Sequence, residues 1–191
     1  VRTAIQFAHA DTHVQTIMVA SSVPQEGKST TSVNIATTLA QAGNKTLWID
    51  CDLRRPVGHN VFHTSKEPGI VNVLVGNKKI EEAARPSGIP NLDIMTSGPI
   101  PPNPSELLGS KRMRDLLDEL KTRYDNIIID TPPVVAVTDA VILSTLVDAY
   151  ILVARANTTH MEIVSKSRES IDRVGGRILG IVPVSYTHLT L

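Results

Sequence analysis

The residues best suited to chemistry lie at positions 22–30, which contain Gly27-Lys28-Ser29. An apolar, strand-like run precedes this segment and a helix-like run follows it. In that context, backbone N–H groups of the loop and helix N-terminus surround a phosphate, the lysine adds a mobile positive charge, and the serine hydroxyl binds magnesium. Taken alone, the tripeptide would more simply be a capped polar turn. With strand, spacing and helix all in place, we predict a phosphate-binding loop.

The loop departs from the usual pattern at its first position, where Ser22 replaces glycine. The backbone at this position must therefore adopt a conformation that serine can reach. The neighbouring residues predicted to contact the nucleotide are Gln25, Glu26, Gly27, Lys28, Ser29 and Thr30.

A second group of charged residues follows the apolar run at 47–49 and comprises Asp50, Asp52, Arg54 and Arg55. Asp50 is positioned to accept a proton from an incoming hydroxyl or to hold a magnesium-bound water, with Asp52 as a second carboxylate. Arg54 and Arg55 can neutralise phosphate charge. Taken alone, this segment would more simply be a solvated turn followed by a surface loop.

A third candidate is Asp130, which ends the aliphatic run 126–129 and is followed by Pro132 and Pro133. Two prolines cannot extend a strand ladder, so the strand must end here. The pattern is typical of a Walker B strand, whose carboxylate reaches magnesium through a water. A lone aspartate of this kind is often a turn or a cap, but the three motifs together predict a site for a nucleotide and magnesium.

The elements that must position these residues alternate along the chain. Gly43 stands where the glycine after a helix C-terminus belongs, and a stiff proline-rich loop at 98–104 precedes Ser105, predicted to cap a short helix over 106–108. Alternation predicts an α/β fold, the three-layer sandwich of P-loop NTPases, with a mostly parallel central sheet and helices on both faces. Strands are predicted at 16–20, 46–49, 92–95, 126–129, 149–153 and 178–182, and helices at 29–42, 111–124 and 160–174.

Composition favours one soluble domain, with 41% hydrophobic and 20% charged residues. The 19 basic and 19 acidic residues balance, so net charge gives no reason to expect a nucleic-acid partner. Cys51 is the single cysteine and cannot form an intramolecular disulfide, which favours a cytoplasmic setting.

The chain resembles the bacterial tyrosine kinases of capsule and exopolysaccharide synthesis, the BY-kinases, which use P-loop motifs. The resemblance rests on residues 26–30, 49–56, 98–108 and 124–133. It implies an ATP-dependent, magnesium-dependent protein-tyrosine kinase. By this resemblance Lys28 binds the phosphates, Ser29 and Asp52 bind magnesium, Asp50 is a base or a metal ligand, and Asp130 has the Walker B role.

The resemblance also implies partners: a membrane-embedded polysaccharide co-polymerase that activates the kinase, a cognate tyrosine phosphatase, and protein substrates with tyrosines. Residues 2–7 look like the end of an arginine-bearing helix that packs into a neighbouring subunit, implying a homo-oligomeric ring at the inner face of the plasma membrane. We expect the kinase domain to span residues 1–182, with its natural N-terminus truncated. Residues 183–191 then form a tail foreign to the family, with Tyr186 in place of a tyrosine cluster.

Two alternatives stay open. Partitioning and septum-site ATPases usually carry a second lysine early in the loop, where Val23 and Pro24 stand here. Such an ATPase would use water as the acceptor. The other alternative is a catalytically silent nucleotide-binding module.

Overall fold

The protein is described by a computed structural model over residues 14–185. The predicted helix end at 2–7 and the tail residues 186–191 lie outside this range. The strands are β1 (Thr16–Ser21), β2 (Thr46–Asp50), β3 (Ala84–Pro86), β4 (Leu92–Met95), β5 (Asn126–Asp130), β6 (Ala149–Arg155) and β7 (Ile178–Val184). The helices are α1 (Lys28–Gln41), α2 (Gly58–Val61), α3 (Ile70–Leu74), α4 (Ile80–Ala83), α5 (Pro104–Leu108), α6 (Lys111–Lys121), α7 (Asp139–Ser144) and α8 (Met161–Asp172).

The seven strands form one sheet in the order β3-β4-β2-β5-β1-β6-β7. All neighbouring strands are parallel except β3 and β4, which are antiparallel at one edge. Parallel neighbours require crossover connections, and the helices between the strands supply them. The predicted mostly parallel sheet is confirmed.

Alternating side chains of the strands build two separate apolar layers. In β1, Ile17 and Val19 pack in the same cluster as Leu39 of α1, whereas Met18 packs in the opposite cluster with Leu116 of α6. Because both faces of the strand are covered, all six residues of β1 are buried and the strand reads as a continuous apolar run. Helices cover both faces of the sheet, as predicted for a three-layer sandwich.

Several elements differ from the sequence prediction. The prediction missed β3, a three-residue edge strand, and the helices α2, α3, α4 and α7, which have four to six residues each. Segments this short contain too few residues to show a hydrophobic period. The helix predicted at 106–108 begins instead at Pro104, with Asn103 in the capping position, so the cap predicted at Ser105 is wrong.

The last strand continues past its predicted end at position 182. Pro183 pairs with Ala154 and Val184 with Arg155, at the open edge of the sheet. Proline is tolerated there because an edge strand does not need every N–H for the ladder. These two residues, assigned to a tail by sequence, therefore belong to β7.

The sheet brings the three motifs to one edge. β5 lies between β1 and β2, and all three strands run parallel, so their carboxyl ends face the same way. The Cα of Asp50 pairs with that of Asp130 across β2 and β5. Ligands of open α/β sheets bind at this edge.

Candidate active site

Lys28, Ser29 and Asp130 form a closed hydrogen-bonded group at the end of β5. Lys28 Nζ donates to Asp130 Oδ1 at 2.7 Å and to Ser29 Oγ at 3.1 Å, and Ser29 Oγ donates to Asp130 Oδ2 at 2.6 Å. The Asp130 side chain is fully buried and that of Lys28 is 8% exposed. Burial raises the pKa of the Asp130 carboxyl, and the positive charge of Lys28 opposes that rise. The structure thus joins Lys28 and Ser29, predicted to bind phosphate and magnesium, to Asp130, the predicted Walker B carboxylate.

The loop before α1 has the backbone geometry of an anion site. Gln25 and Gly27 have φ values of 64° and 85°, in the left-handed region that glycine adopts at little cost. Ser22 does not need that region, which explains how serine replaces glycine at the first position. No side chain caps the 14-residue α1, so its first N–H groups and the positive end of its dipole point to the loop.

Glu26 fastens the loop to the segment after β6. It is buried, and its Oε2 accepts a hydrogen bond from the Val23 backbone N–H at 2.9 Å. Its Oε1 accepts hydrogen bonds from the Thr159 hydroxyl and, at 3.3 Å, from the Arg155 backbone N–H. Glu26, predicted as a nucleotide contact, therefore also organises the wall of the site, and Thr159 is a residue that sequence reasoning missed.

Asp50 is fully buried below the loop that follows β2. Its Oδ2 accepts backbone hydrogen bonds from Val57 at 3.0 Å and from Gly58 at 2.7 Å, and its Oδ1 accepts one from Asp52 at 3.2 Å. Burial, followed by the nearby charge of Asp130, raises the pKa of Asp50 to about 7. Asp50 thus fixes the segment 51–58, and the base or metal role predicted for it stays a prediction.

Asp52 and Arg54 both line a cleft at this edge of the sheet, although only 7% of Asp52 is exposed. Asp52 Oδ1 accepts a hydrogen bond from the Arg55 backbone at 2.9 Å, and Arg54 is bound by Asp139, a fully buried carboxylate at the start of α7. This hydrogen bond raises the pKa of Arg54 above its ordinary value. Asp139 and Ser105, which also contacts Arg54, are two further residues that the sequence prediction did not assign to the site.

Asp52, Arg54 and the loop residues 24–30 line a cleft of about 920 Å³. Of the predicted site residues, only Asp50 and Asp130 do not line it, because they lie buried below its floor. The cleft is large enough for a nucleotide, whose sites measure roughly 300–1,000 Å³. Its lining comprises Ser21, Pro24, Gln25, Glu26, Gly27, Lys28, Ser29, Thr30, Asp52, Arg54, Arg55, Val57, Val61, Pro132, Pro133, Ala136, Val137 and Arg155.

The donor set suits magnesium bound together with phosphate. Within residues 14–185, no three His, Cys, Asp or Glu side chains are grouped so that they could hold a metal ion by themselves. Magnesium, however, keeps several waters and takes one or two carboxylates together with substrate phosphates. The oxygens of Ser29, Asp52 and Asp130 at this edge fit that requirement.

Comparisons with known proteins agree with the site. A family model described as an AAA domain matches residues 14–178. The tyrosine-protein kinase YwqD of Bacillus subtilis is 42% identical over 182 residues, covering 95% of this chain and 77% of YwqD. The tyrosine-protein kinase etk of Escherichia coli K12 is 38% identical over 181 residues, which are 25% of its length.

Solved structures show the same relationship. The kinase domain of the Escherichia coli tyrosine kinase ETK superposes with a TM-score of 0.94 at 36% identity, covering 100% of this chain and 74% of that one. The septum site-determining protein MinD of Pyrococcus horikoshii, complexed with Mg-ADP, has a TM-score of 0.75 at 24% identity over 87% of this chain and 68% of that one, a likeness of fold alone. None of the helices between residues 14 and 185 is long and apolar enough to cross a membrane.

The motifs meet at one sheet edge, and the identity to YwqD extends over nearly the whole chain and over three quarters of YwqD. The chain belongs to the family of P-loop bacterial tyrosine-protein kinases.

Proposed function

We propose that this chain binds Mg-ATP in the cleft and transfers the γ-phosphate to a tyrosine hydroxyl, as an autokinase in the control of capsule or exopolysaccharide synthesis. The observation that carries the proposal is the junction of Lys28, Ser29 and Asp130 under a cleft that Asp52 and Arg54 also line. Phosphoryl transfer depends mainly on positioning and charge neutralisation. The side chains grouped here supply both.

Lys28 is the residue that binds the phosphates in this proposal. In the structure its positive charge is held by Asp130, a buried carboxylate that would be costly to leave unpaired. Phosphate oxygens would attract the Lys28 ammonium group away from Asp130, and a bound magnesium ion would then balance the negative charge of Asp130. Nucleotide and magnesium should therefore bind together, with the α1 N-terminus and Gly27 supplying backbone N–H donors.

Ser29, Asp52 and Asp130 would hold the magnesium ion, which when bound neutralises charge on the transferring phosphate. Ser29 Oγ and Asp130 Oδ2 lie 2.6 Å apart, so both can serve one ion, directly or through water. Asp52 is the carboxylate that faces the cleft, whereas each oxygen of Asp50 already accepts backbone hydrogen bonds. We assign Asp52 the direct contacts and Asp50 the positioning of segment 51–58.

An ATPase switch is the weaker reading. The early lysine of partitioning ATPases is absent, since Val23 and Pro24 stand in that region, and the likeness to MinD concerns the fold only. The silent-module alternative is disfavoured because Lys28, Ser29 and Asp130 are all present and in mutual contact.

The experiment is incubation of the purified chain with γ-labelled ATP, magnesium and a tyrosine-rich peptide. Label on peptide tyrosine, lost in Lys28→Ala, would establish the kinase. Release of free phosphate without label on tyrosine would favour the ATPase switch, and no turnover with retained Mg-ATP binding would indicate a silent module. Because Lys28→Ala leaves Asp130 buried without its partner, the double variant Lys28→Ala/Asp130→Asn serves as a control for folding.

The partners follow from the family. We propose activation by a membrane-embedded polysaccharide co-polymerase, reversal by a cognate tyrosine phosphatase, and ring formation at the inner face of the plasma membrane. The resemblance of the motifs supports these proposals. Co-purification of the chain with a co-polymerase tail, and an increase in tyrosine labelling on its addition, would test the first of them.

A further inference from the structure

The resemblance to the family rests in part on segment 98–108, for which the proposed function gives no role. Ser105, on the short helix α5, contacts Arg54, which lines the cleft. The Ser105 hydroxyl donates to Asp139 Oδ1 at 2.7 Å and accepts from Arg54 Nη2 at 3.1 Å. The segment therefore meets the cleft through Arg54.

Arg54 is held on one edge by a bidentate ion pair. Its Nε donates to Asp139 Oδ2 and its Nη2 to Asp139 Oδ1, both at 3.0 Å. Two parallel hydrogen bonds fix the plane of a guanidinium as well as its position. Ser105 Oγ accepts a further hydrogen bond from Nη2 and donates one to Asp139 Oδ1, so hydrogen bonds join the three side chains in a closed ring. This ring is here named the Arg54–Asp139–Ser105 network.

The network leaves one part of the guanidinium available. Within residues 14–185, Arg54 Nη1 makes no hydrogen bond, and Arg54 lines the cleft with its side chain 39% exposed. Asp139, by contrast, is fully buried and cannot turn toward solvent. The Asp139 carboxylate is thus fixed. The Nη1 group of the positively charged Arg54 guanidinium presents its two N–H bonds to any anion in the cleft.

The supports of the network are themselves rigid. Pro104 occupies the first turn of α5, where its fixed φ suits a helix start. A Cβ added at Gly109, just after α5, would lie 3.2 Å from Ile142 Cγ2 of α7, so the two helices approach closely at this point. Asp139 and Ser105 therefore come from two elements that are packed against each other.

We propose that Ser105 and Asp139 are positioning residues that aim Arg54 at the phosphates of the bound nucleotide, and that this is how segment 98–108 acts on the reaction. The inference rests on the proposed function for its effect on transfer, but its effect on nucleotide affinity does not depend on tyrosine being the acceptor. A flexible arginine would lose side-chain entropy when it binds a phosphate, which weakens binding. An arginine that is already held in place avoids most of this cost. Lysine cannot replace Arg54 here, because it cannot make the forked contact.

The test is a double-mutant cycle between Ser105→Ala and Arg54→Ala in the full chain. Mg-ATP affinity is measured by titration calorimetry, and transfer to a tyrosine peptide is measured in parallel. We expect Ser105→Ala to weaken Mg-ATP binding about 5-fold, as for loss of one hydrogen-bonded contact, and to lower kcat about 10-fold. Ser105→Thr, which keeps the hydroxyl, should restore both values.

The decisive readout is the coupling. If Ser105 acts through Arg54, then Ser105→Ala should change neither affinity nor kcat in the Arg54→Ala background. A purely structural role would give the same loss in both backgrounds and a lower melting temperature. Ser170→Ala, which removes an exposed serine hydroxyl of α8 bound to Lys166 O, is the matched control.

Additive effects, or wild-type affinity and kcat in Ser105→Ala, would overturn the inference. Failure of the proposed function looks different. If the unchanged chain binds Mg-ATP but transfers no phosphate to tyrosine, the kinase assignment fails, and the coupling in Mg-ATP affinity still decides whether the network positions Arg54.

Discussion

Replacement of Gly58 by alanine should destabilise the protein because Gly58 lies where the segment after β2 crosses a buried aromatic ring. A Cβ at this position would lie 2.6 Å from Trp48 Cζ3, 2.8 Å from Trp48 Cη2 and 3.0 Å from Asp50 Oδ2. To reach the ordinary carbon contact distance of about 3.5 Å, the ring or the backbone must move by roughly 1 Å. The conflict is steric, since Gly58 does not have a left-handed backbone.

The Trp48 ring has little freedom to move. It is fully buried, its Nε1 donates to Ser32 Oγ at 2.9 Å, and its ring centroid lies 5.2 Å from that of Phe62. Overpacking of this kind costs about 1–3 kcal/mol, and loss of the bond to Ser32 would add about 1 kcal/mol. We expect Gly58→Ala to lower the free energy of unfolding by about 2–4 kcal/mol, which corresponds to a fall in Tm of roughly 4–16 °C.

The assay is urea unfolding followed by the fluorescence of Trp48, the single tryptophan of the chain. The matched control is Gly180→Ala, because a Cβ at Gly180 meets no atom within 4 Å, and its stability should stay within about 0.5 kcal/mol of wild type. In a Trp48→Phe background, followed by circular dichroism, Gly58→Ala should cost less. Equal stability of Gly58→Ala and Gly180→Ala, at equal m values, would refute the steric argument.

Three further predictions concern carboxylates of the site. Because the pKa of Asp50 rises from 3.8 to about 7 in the folded protein, folding takes up a proton between these values. The free energy of unfolding should therefore fall, by on the order of 4 kcal/mol for this group, as pH rises from about 4 to about 7. Urea unfolding at several pH values measures this dependence. Asp50→Asn should remove the part due to Asp50, and the surface variant Asp118→Asn should keep it. Asp52→Asn should lower kcat at least about 100-fold with a smaller change in Mg-ATP affinity, and an equal loss in both would contradict its role in transfer. Glu26→Gln should weaken Mg-ATP binding about 5-fold by calorimetry, because the amide nitrogen of glutamine cannot accept a hydrogen bond as the second carboxylate oxygen does. Thr159→Ser keeps the donor hydroxyl and should bind Mg-ATP as the wild type does.

The Lys28–Asp130 pair and the Arg54–Asp139–Ser105 network give the cleft two differently held cations. Lys28 is nearly buried and bound to a carboxylate predicted to serve magnesium, so its partner must be shared when nucleotide binds. Arg54 is bound to a carboxylate that has no other role in the site, so it can keep its position throughout. Under the proposed function, Arg54 would supply a preorganised positive charge, whereas Lys28 would change partner when phosphate binds.

Much of the candidate site could be predicted because its residues lie in short sequence motifs. A phosphate loop must join a strand to a helix, and this context predicted the loop at residues 22–30. The carboxylates Asp52 and Asp130 were predicted because each lies at or just after the end of a strand. The long apolar runs likewise predicted the parallel sheet, because strands buried on both faces must be continuously apolar. Local pattern therefore predicted the fold class and the family, which are confirmed, and the phosphate-binding role of residues 22–30, which stays a prediction.

Tertiary structure alone decided which of these residues line the cleft and what holds them. Asp50 and Asp52 are two residues apart in sequence, yet one is buried under its own loop and the other faces the cleft, a difference set by how the segment 51–58 returns to the sheet. Ser105 looked like a helix cap, and its partner Asp139 lies 34 positions away, so no local pattern could join them. Hydrogen bonds between distant segments depend on the packing of the helices that carry them, and that packing exists only in the folded chain.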